Sequence, residues 1–218
     1  MRSPLARLRV ALALSRRNET ESERVPHERI ETEVQRLDEM IGRILTLSRL
    51  ESGQLKLTTS ELDLNELVEN VVDDARFEAE RTGHSIDFTS DVDVHVDAHE
   101  GLLRSSIENV VRNALYYTSG KEPIQISLSA RNGNAILRIR DNGPGVPPES
   151  LSSLFEPFYR VDDSRVTVTG GTGLGLAIAK RAILAHQGTI TAQNVQPHGL
   201  MIEIQLPAAS VPKTPILA

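Results

Sequence analysis

The feature that most constrains the fold is a regular apolar repeat in the second segment of the chain, from about residue 27 to residue 51. The apolar positions are spaced by 4, 3, 4 and 3 residues, along Ile30, Val34, Leu37, Ile41 and Ile44. This heptad spacing predicts an α-helix with one narrow apolar seam, which packs against other helices in a left-handed supercoil. A single helix cannot bury its own seam, so the repeat requires partner helices.

A first helix is predicted before it. Residues 2–17 repeat leucines at intervals of three and four and contain five arginines and no acid, and a polar stretch ending at Pro26 separates the two segments. Two copies of such a helical hairpin would form a four-helix bundle. The alternative is that the hairpin packs on its own C-terminal domain. The regularity of the heptads favours a homodimer through residues 2–52.

The pattern changes after Gly53. Strand-like alternation in IDFTS and VHVDA, a hairpin signal at Asn132-Gly133 and three further helices predict an α+β protein, in which a two-layer sandwich follows the helical hairpin. Capping-box spacings at Asp63/Glu66 and Asp97/Glu100 predict two helix starts. We expect the domains to span residues 1–53 and 54–207, with a disordered tail over 208–218.

Composition excludes several classes of function. The net charge of −6 and the absence of Trp argue against nucleic-acid binding, and the absence of Cys excludes thiol chemistry and disulfides. No apolar run reaches the ~20 residues that span a bilayer, so the chain as given is expected to be cytoplasmic.

Three stretches could carry chemistry. In IENVVRNALYYT, Asn109 and Asn113 share one helix face and could ligate a hard cation, although a solvated polar face is an equally simple reading. DNGPG, residues 141–145, could be a ligand-binding loop or a plain turn. GGTGLGLAIAK, residues 170–180, places four glycines at a helix start, where backbone N–H groups bind anions.

The order of these stretches, with FEPFYR at residues 155–160 between them, resembles the N, G1, F and G2 boxes of sensor histidine kinases. RSPLARL resembles the end of the H-box of that family, and ERIETEVQRLDEMIGRIL resembles the second helix of its dimerisation and phosphotransfer domain. The latter segment and RNALYYT are most similar to Cpx-type envelope-stress sensor kinases. The resemblance implies a Bergerat-type ATP-binding fold and half of a dimeric four-helix bundle.

The implied activity is transfer of the γ-phosphoryl group of ATP, with Mg²⁺, to a histidine and then to the receiver domain of a response regulator. In the family pattern that histidine stands three residues before Arg2, so we expect a truncated chain that does not phosphorylate itself. The parent protein would be anchored in the bacterial inner membrane with this part facing the cytoplasm. The alternatives are a nucleotide-binding module that forms heterodimers, and another Bergerat-type ATPase.

The resemblance also implies residue roles. Asn113 is the expected Mg²⁺ ligand, Glu108 and Asn109 are expected near the catalytic step, and Asp141 is expected to accept the adenine amino group. Residues 161–170 are expected to form a mobile lid. The remaining expected nucleotide contacts are Arg112, Tyr117, Gly143, Gly145, Arg160, Gly171, Thr172, Gly173, Leu174 and Gly175. Apart from the resemblance, His186 lies at a predicted helix C-terminus, where a positive charge is expected to be favourable.

Overall fold

The computed structural model describes residues 21–52, 57–119, 122–161 and 172–209. The predicted first helix, most of the predicted lid and nearly all of the predicted tail lie outside these residues. The chain divides into two compact units, Met1–Ser48 and Arg49–Ala218. Among the described residues, no helix combines the length and the apolar character needed to cross a membrane.

The heptad segment is helical, as predicted. Helix α1 spans Glu21–Glu51 and therefore begins about six residues before the predicted start. Val34 is buried, but the other four heptad residues remain 40–49% exposed. One copy of the chain thus leaves most of the apolar seam uncovered.

The first strand of the second unit leads into a capped helix. Strand β1 (Ser60–Asp63) precedes helix α2 (Leu64–Thr82), and the Asp63 carboxylate accepts hydrogen bonds from the N–H groups of Asn65 and Glu66. This confirms the predicted helix start. Gly83 ends the helix at a φ of 76°, in the left-handed region that favours glycine.

The second predicted capping box was wrong. Helix α3 spans Glu100–Tyr117, and its cap is His99, whose Nδ1 accepts a hydrogen bond from the N–H of Leu102 at 3.3 Å. Asp97 lies instead in strand β3 (His95–Ala98), which pairs antiparallel with β1. A residue held in the strand pairing is too far from the helix start to cap it.

A mixed sheet of five strands forms the other layer. Its order is β2-β4-β5-β7-β6, with β2 and β4 parallel and the other neighbours antiparallel. The bounds are β2 Ile86–Ser90, β4 Ile124–Arg131, β5 Asn134–Arg140, β6 Thr189–Asn194 and β7 Leu200–Pro207. Helix α4 spans Gly175–Ala185, and Pro148–Ser150 forms a short 3₁₀ turn.

One hydrophobic core lies between the helices and the sheet. It joins alternate residues of β4, β5 and β7 to the apolar faces of α2, α3 and α4, including Val68, Ile107 and Ile183. Alternate burial along β7 and helical spacing along α3 are the patterns that a two-layer arrangement requires. The predicted α+β class is confirmed.

Candidate functional site

The two asparagines of α3 lie at the edge of its buried face. Val110 and Ala114 are buried in the core, whereas Asn109 and Asn113 are half-buried. Within the described part of the chain, neither carboxamide makes a hydrogen bond. Partly buried polar groups are normally paired, so two unpaired amides on one helix face are groups that a ligand could satisfy.

Asn109 faces the start of α4. A methyl group on Gly175 would lie 3.1 Å from Asn109 Oδ1, tighter than an ordinary contact. Gly175 is the first residue of α4, and its missing side chain lets the two helices approach closely at this point. The asparagine helix and the glycine-rich stretch are therefore adjacent.

Asp141 follows strand β5 and is 96% buried, with only 4% of its surface exposed. Its Oδ1 accepts hydrogen bonds from the N–H of Gly143 at 2.9 Å and from the N–H of Leu200 at 3.0 Å. Burial raises the pKa of the Asp141 carboxyl above its ordinary value, and these two N–H donors and the charge of Arg140 oppose that shift. Both bonds end on Oδ1, so Oδ2 has no partner among the residues described.

The DNGPG loop is attached to the C-terminal end of α3. The N–H of Asn142 donates to Thr118 Oγ1 at 3.4 Å, and the Asn142 carbonyl accepts from Ser119 Oγ at 3.2 Å. A methyl group on Gly143 would lie only 2.6 Å from the carbonyl oxygen of Tyr117. The contact of backbone against backbone explains why glycine stands at this position.

The FEPFYR stretch is joined to the glycine-rich stretch. The N–H of Phe158 donates to the Gly173 carbonyl at 3.0 Å, and a methyl group on Gly173 would lie 2.8 Å from the Phe158 backbone. Phe155 is buried, and Leu174 is fully buried. Next to them, the buried Oγ1 of Thr172 has no hydrogen-bond partner in the described structure.

Glu108 and Arg112 lie on a different side of α3, towards α2. Arg104 donates to Glu108 Oε1 at 3.0 Å and to Asp74 of α2 at 2.7 Å. Arg112 lies 3.9 Å from Glu78, also on α2. In this structure, ion pairs therefore direct the Glu108 side chain to Arg104 and the Arg112 side chain towards α2.

The other predicted site residues are placed less directly. Tyr117 stacks edge-to-face on Tyr116, with ring centroids 4.9 Å apart. Arg160 is half-buried near the end of a described segment. Gly171 lies outside the described residues. Gly145 adopts a φ of 73°, in keeping with a loop that requires glycine.

The sequence did not predict the support behind the DNGPG loop. Asn194 and Gly199, at the β6–β7 turn, contact this loop: Asn194 bonds to Val146, and the missing side chain of Gly199 makes room for the Asp141 carbonyl. The local signal was weak, because a glycine before a strand is a common turn feature.

His186 also differs from expectation. It is buried, with Nδ1 lying 2.7 Å from the Ala182 carbonyl and Nε2 accepting from the N–H of His99 at 2.9 Å. Since Nε2 accepts, the ring is neutral with its proton on Nδ1. Burial lowers the pKa of His186, so the predicted preference for a positive charge was wrong.

The comparisons with known proteins agree with this arrangement. Residues 98–210 match the family described as histidine kinase-, DNA gyrase B- and HSP90-like ATPases, and residues 1–53 match the His Kinase A (phospho-acceptor) domain. The first match assigns residues 98–210 to a class of ATPase domains. A His Kinase A domain followed by such an ATPase domain is typical of the sensor histidine kinases within that class. The chain belongs to the sensor histidine kinases.

Two similar proteins are named as sensor histidine kinases. Over 95% of its length, the chain is 40% identical to the sensor histidine kinase CpxA of Escherichia coli strain K12, of which it covers 44%. Over 97% of its length, it is 34% identical to the sensor histidine kinase RppB of Synechocystis, of which it covers 48%. The chain thus spans less than half the length of these relatives.

Solved structures show the same fold. Full-length ShkA in complex with AMPPNP superposes with a TM-score of 0.77 at 25% identity, over 88% of this chain and 40% of that one. The Acinetobacter baumannii histidine kinase AdeS superposes with a TM-score of 0.71 at 25% identity, over 94% of this chain and 95% of that one.

Proposed function

We propose that this chain is the catalytic core of a sensor histidine kinase, which binds ATP with Mg²⁺ and transfers the γ-phosphoryl group to a histidine of the H-box type. From that histidine the group would pass to the receiver domain of a response regulator. The parent protein would be membrane-anchored, with this part in the cytoplasm. The domain division at residues 53 and 54 belongs to the same proposal.

The observation that carries the proposal is the geometry of Asp141. Two backbone N–H groups fix Oδ1, while Oδ2 remains without a partner in the described structure. An exocyclic amine of adenine is a donor that matches an ionised oxygen in a buried position. Guanine presents a carbonyl oxygen at the corresponding ring position, which would face the carboxylate unfavourably. The loop is therefore suited to adenine.

The other end of the site fits phosphates and a hard cation. The unpaired amides of Asn109 and Asn113 and the buried hydroxyl of Thr172 are polar groups without partners in the described regions. The Asn113 amide oxygen would hold Mg²⁺, and Thr172 together with the backbone of Gly171, Gly173 and Leu174 would contact phosphate oxygens. Bound Mg²⁺ would neutralise phosphate charge during transfer.

Glu108 and Arg112 keep their proposed roles near the catalytic step and the phosphates, but with a condition. Glu108 is ion-paired with Arg104 of the same helix, and Arg112 lies 3.9 Å from Glu78 of α2, so each must exchange that partner before it contacts a nucleotide. Arg112 and Glu78 are exposed, and exposed ion pairs contribute only about 0–1 kcal/mol, so the exchange of Arg112 is energetically accessible.

The homodimer rests on the exposed seam of α1. Ile30, Leu37, Ile41 and Ile44 are spaced as a heptad repeat, and each is 40–49% exposed in one copy. Burying apolar surface contributes about 25 cal/mol per Å², which favours a second copy covering these residues. Sedimentation at several concentrations tests this part of the proposal.

The test of nucleotide binding is Asp141→Asn, measured by calorimetry with ATP and GTP. The exchange replaces the ionised Oδ2 with either an amide nitrogen or an uncharged oxygen. The preference for ATP over GTP should therefore fall by about 10- to 100-fold. This factor corresponds to the ~1.5–3 kcal/mol of a hydrogen bond to a charged group. Asp87→Asn, at an exposed aspartate of β2, is the matched control. A wild-type chain that binds ATP and GTP equally would contradict the adenine assignment.

Phosphoryl transfer is tested separately. The first histidine of this sequence is His27, so the acceptor is supplied on a second chain that carries an H-box histidine but a disabled ATP site. Label from radioactive ATP on that histidine is the expected result. ATP binding without any transfer would leave a nucleotide-binding module and would refute the kinase activity.

A further inference from the structure

We propose that Asn194 is a positioning residue for the nucleotide base: its side chain fixes the exit of the DNGPG loop and thereby sets the affinity for adenine nucleotides. Asn194 lies at the end of β6, outside all four stretches that the family resemblance uses. The inference rests on the proposed function, because it concerns the same nucleotide site.

The Asn194 amide pairs with one residue in both directions. Its Oδ1 accepts from the N–H of Val146 at 2.9 Å, and its Nδ2 donates to the Val146 carbonyl at 2.7 Å. The side chain thus acts as one more strand residue and satisfies both backbone groups of the residue that follows the loop. Only an amide carries the donor and the acceptor that this pairing needs.

Gly145, the second glycine of the DNGPG loop, lies close against the Asn194 side chain. A methyl group on Gly145 would lie 2.7 Å from Asn194 Oδ1, and Gly145 has a φ of 73°. Replacing either residue would therefore change the path of the loop between Asp141 and Val146. The positive φ and the close approach together tie the loop conformation to Asn194.

The same β6–β7 turn holds the start of the loop. The N–H of Leu200 donates to Asp141 Oδ1, and the Leu200 carbonyl accepts from the N–H of Asp141. The N–H of Val195 donates to the Gly199 carbonyl at 3.0 Å and closes the turn. The two ends of the loop are thus fixed from one hairpin, the start by Leu200 and the exit by Asn194. Without Asn194 the start stays fixed while the exit is released.

The Asn194 bonds lie at an exposed position, so they contribute little to folding and mainly restrict the loop. A loop that must be ordered by the ligand lowers the apparent affinity of that ligand. Loss of the Asn194 bonds would loosen the loop at the end of the site proposed to bind the base. Removing Asn194 should therefore weaken ATP, ADP and adenosine by the same factor and leave the Mg²⁺ dependence of ATP binding unchanged.

The experiment measures binding of ATP, ADP and adenosine to the full 218-residue chain by calorimetry, for wild type, Asn194→Ala and Asn194→Asp. Asn194→Asp keeps the acceptor for the Val146 N–H but places a second oxygen against the Val146 carbonyl. We expect a loss of about tenfold for each variant, or ~1.4 kcal/mol, with all three ligands. Asn134→Ala, which removes a half-buried asparagine of the other hairpin, should change affinity less than about twofold on the same scale.

The outcomes separate two failures. If wild type binds none of the three ligands, the proposed function fails. If wild type binds and folded Asn194→Ala binds all three equally well, only the role of Asn194 is refuted. A loss confined to ATP would also refute it, because that loss would place the defect at the phosphates. Should Asn194→Ala not fold, the nearly isosteric Asn194→Asp provides the same comparison.

Discussion

Replacing Gly143 with alanine should damage the site through a contact that is measurable in the structure. The new methyl group would lie 2.6 Å from the Tyr117 carbonyl oxygen and 3.1 Å from Asp141 Oδ1, where ordinary contact begins at 3.4 Å. Both obstacles belong to well-held groups, one at the end of α3 and one in a buried carboxylate. The loop must therefore retreat by about 0.8 Å, the difference between 3.4 and 2.6 Å.

That retreat has two energetic consequences. Overpacking of a well-packed region costs about 1–3 kcal/mol. For a unit of this size each kcal/mol lowers the melting temperature by about 2–4 °C, so the predicted decrease is about 2–12 °C. The hydrogen bond from the Gly143 N–H to Asp141 Oδ1 is strained by the same movement. Since Asp141 loses one of the two donors that orient it, ATP affinity should fall about tenfold, or ~1.4 kcal/mol.

Thermal unfolding and calorimetry test this directly, with Gly101→Ala as the matched control. Gly101 lies in the first turn of α3, and a methyl group there would meet only His99 at 3.6 Å, an ordinary contact. The control should be neutral, or stabilising by up to about 1 kcal/mol, because alanine is a better helix former. The reasoning is refuted if Gly143→Ala melts and binds ATP as wild type does.

Further outcomes are expected elsewhere. Asn113→Ala should abolish the Mg²⁺-dependent part of ATP affinity and leave Mg²⁺-free binding intact; equal affinity in calorimetry with and without the substitution would count against this ligand. The unfolding midpoint should fall as the pH is lowered below about 6.5, because the pKa of His186 is lower in the folded chain and its neutral form is therefore stabilising above the unfolded value. His186→Gln should flatten this pH dependence relative to the exposed control His198→Gln, and an unchanged pH profile would contradict the assignment.

Features set by neighbouring residues were predictable from the sequence. The cap at Asp63 and the turn at Asn132-Gly133 need only local hydrogen bonds and positive φ angles, and the turn has φ values of 53° and 76°. The helical spacing and the strand-like alternation of apolar residues likewise predicted the two layers of the sandwich. The motif order predicted that the proposed site residues lie on a helix, a loop and a glycine-rich helix start.

Features set by distant residues were not predictable. Asn194 and Val146 are 48 positions apart, and His99 and His186 are 87 apart, so no local spacing connects them. The orientation of Glu108 was not predictable for the same reason, because its partner Arg104 is oriented by Asp74 on another helix. Helical periodicity gives the side of a helix on which a residue lies, but not which neighbour occupies that side.

The two ends of the proposed site differ in how completely the protein satisfies its own polar groups. Asp141 leaves β5, the central strand of the sheet, and its loop is held from both flanks: the Asn142 side chain donates to the carbonyls of Glu122 and Pro123 before β4, and Leu200 begins β7. The base end is therefore organised by sheet topology without a ligand. At the phosphate end, the amides of α3 and the hydroxyl of Thr172 lack partners in the residues that the structure describes. Since an unpaired buried group such as the Thr172 hydroxyl is costly, this end gains most from a bound ligand, and nucleotide phosphates with a cation would supply what the chain does not.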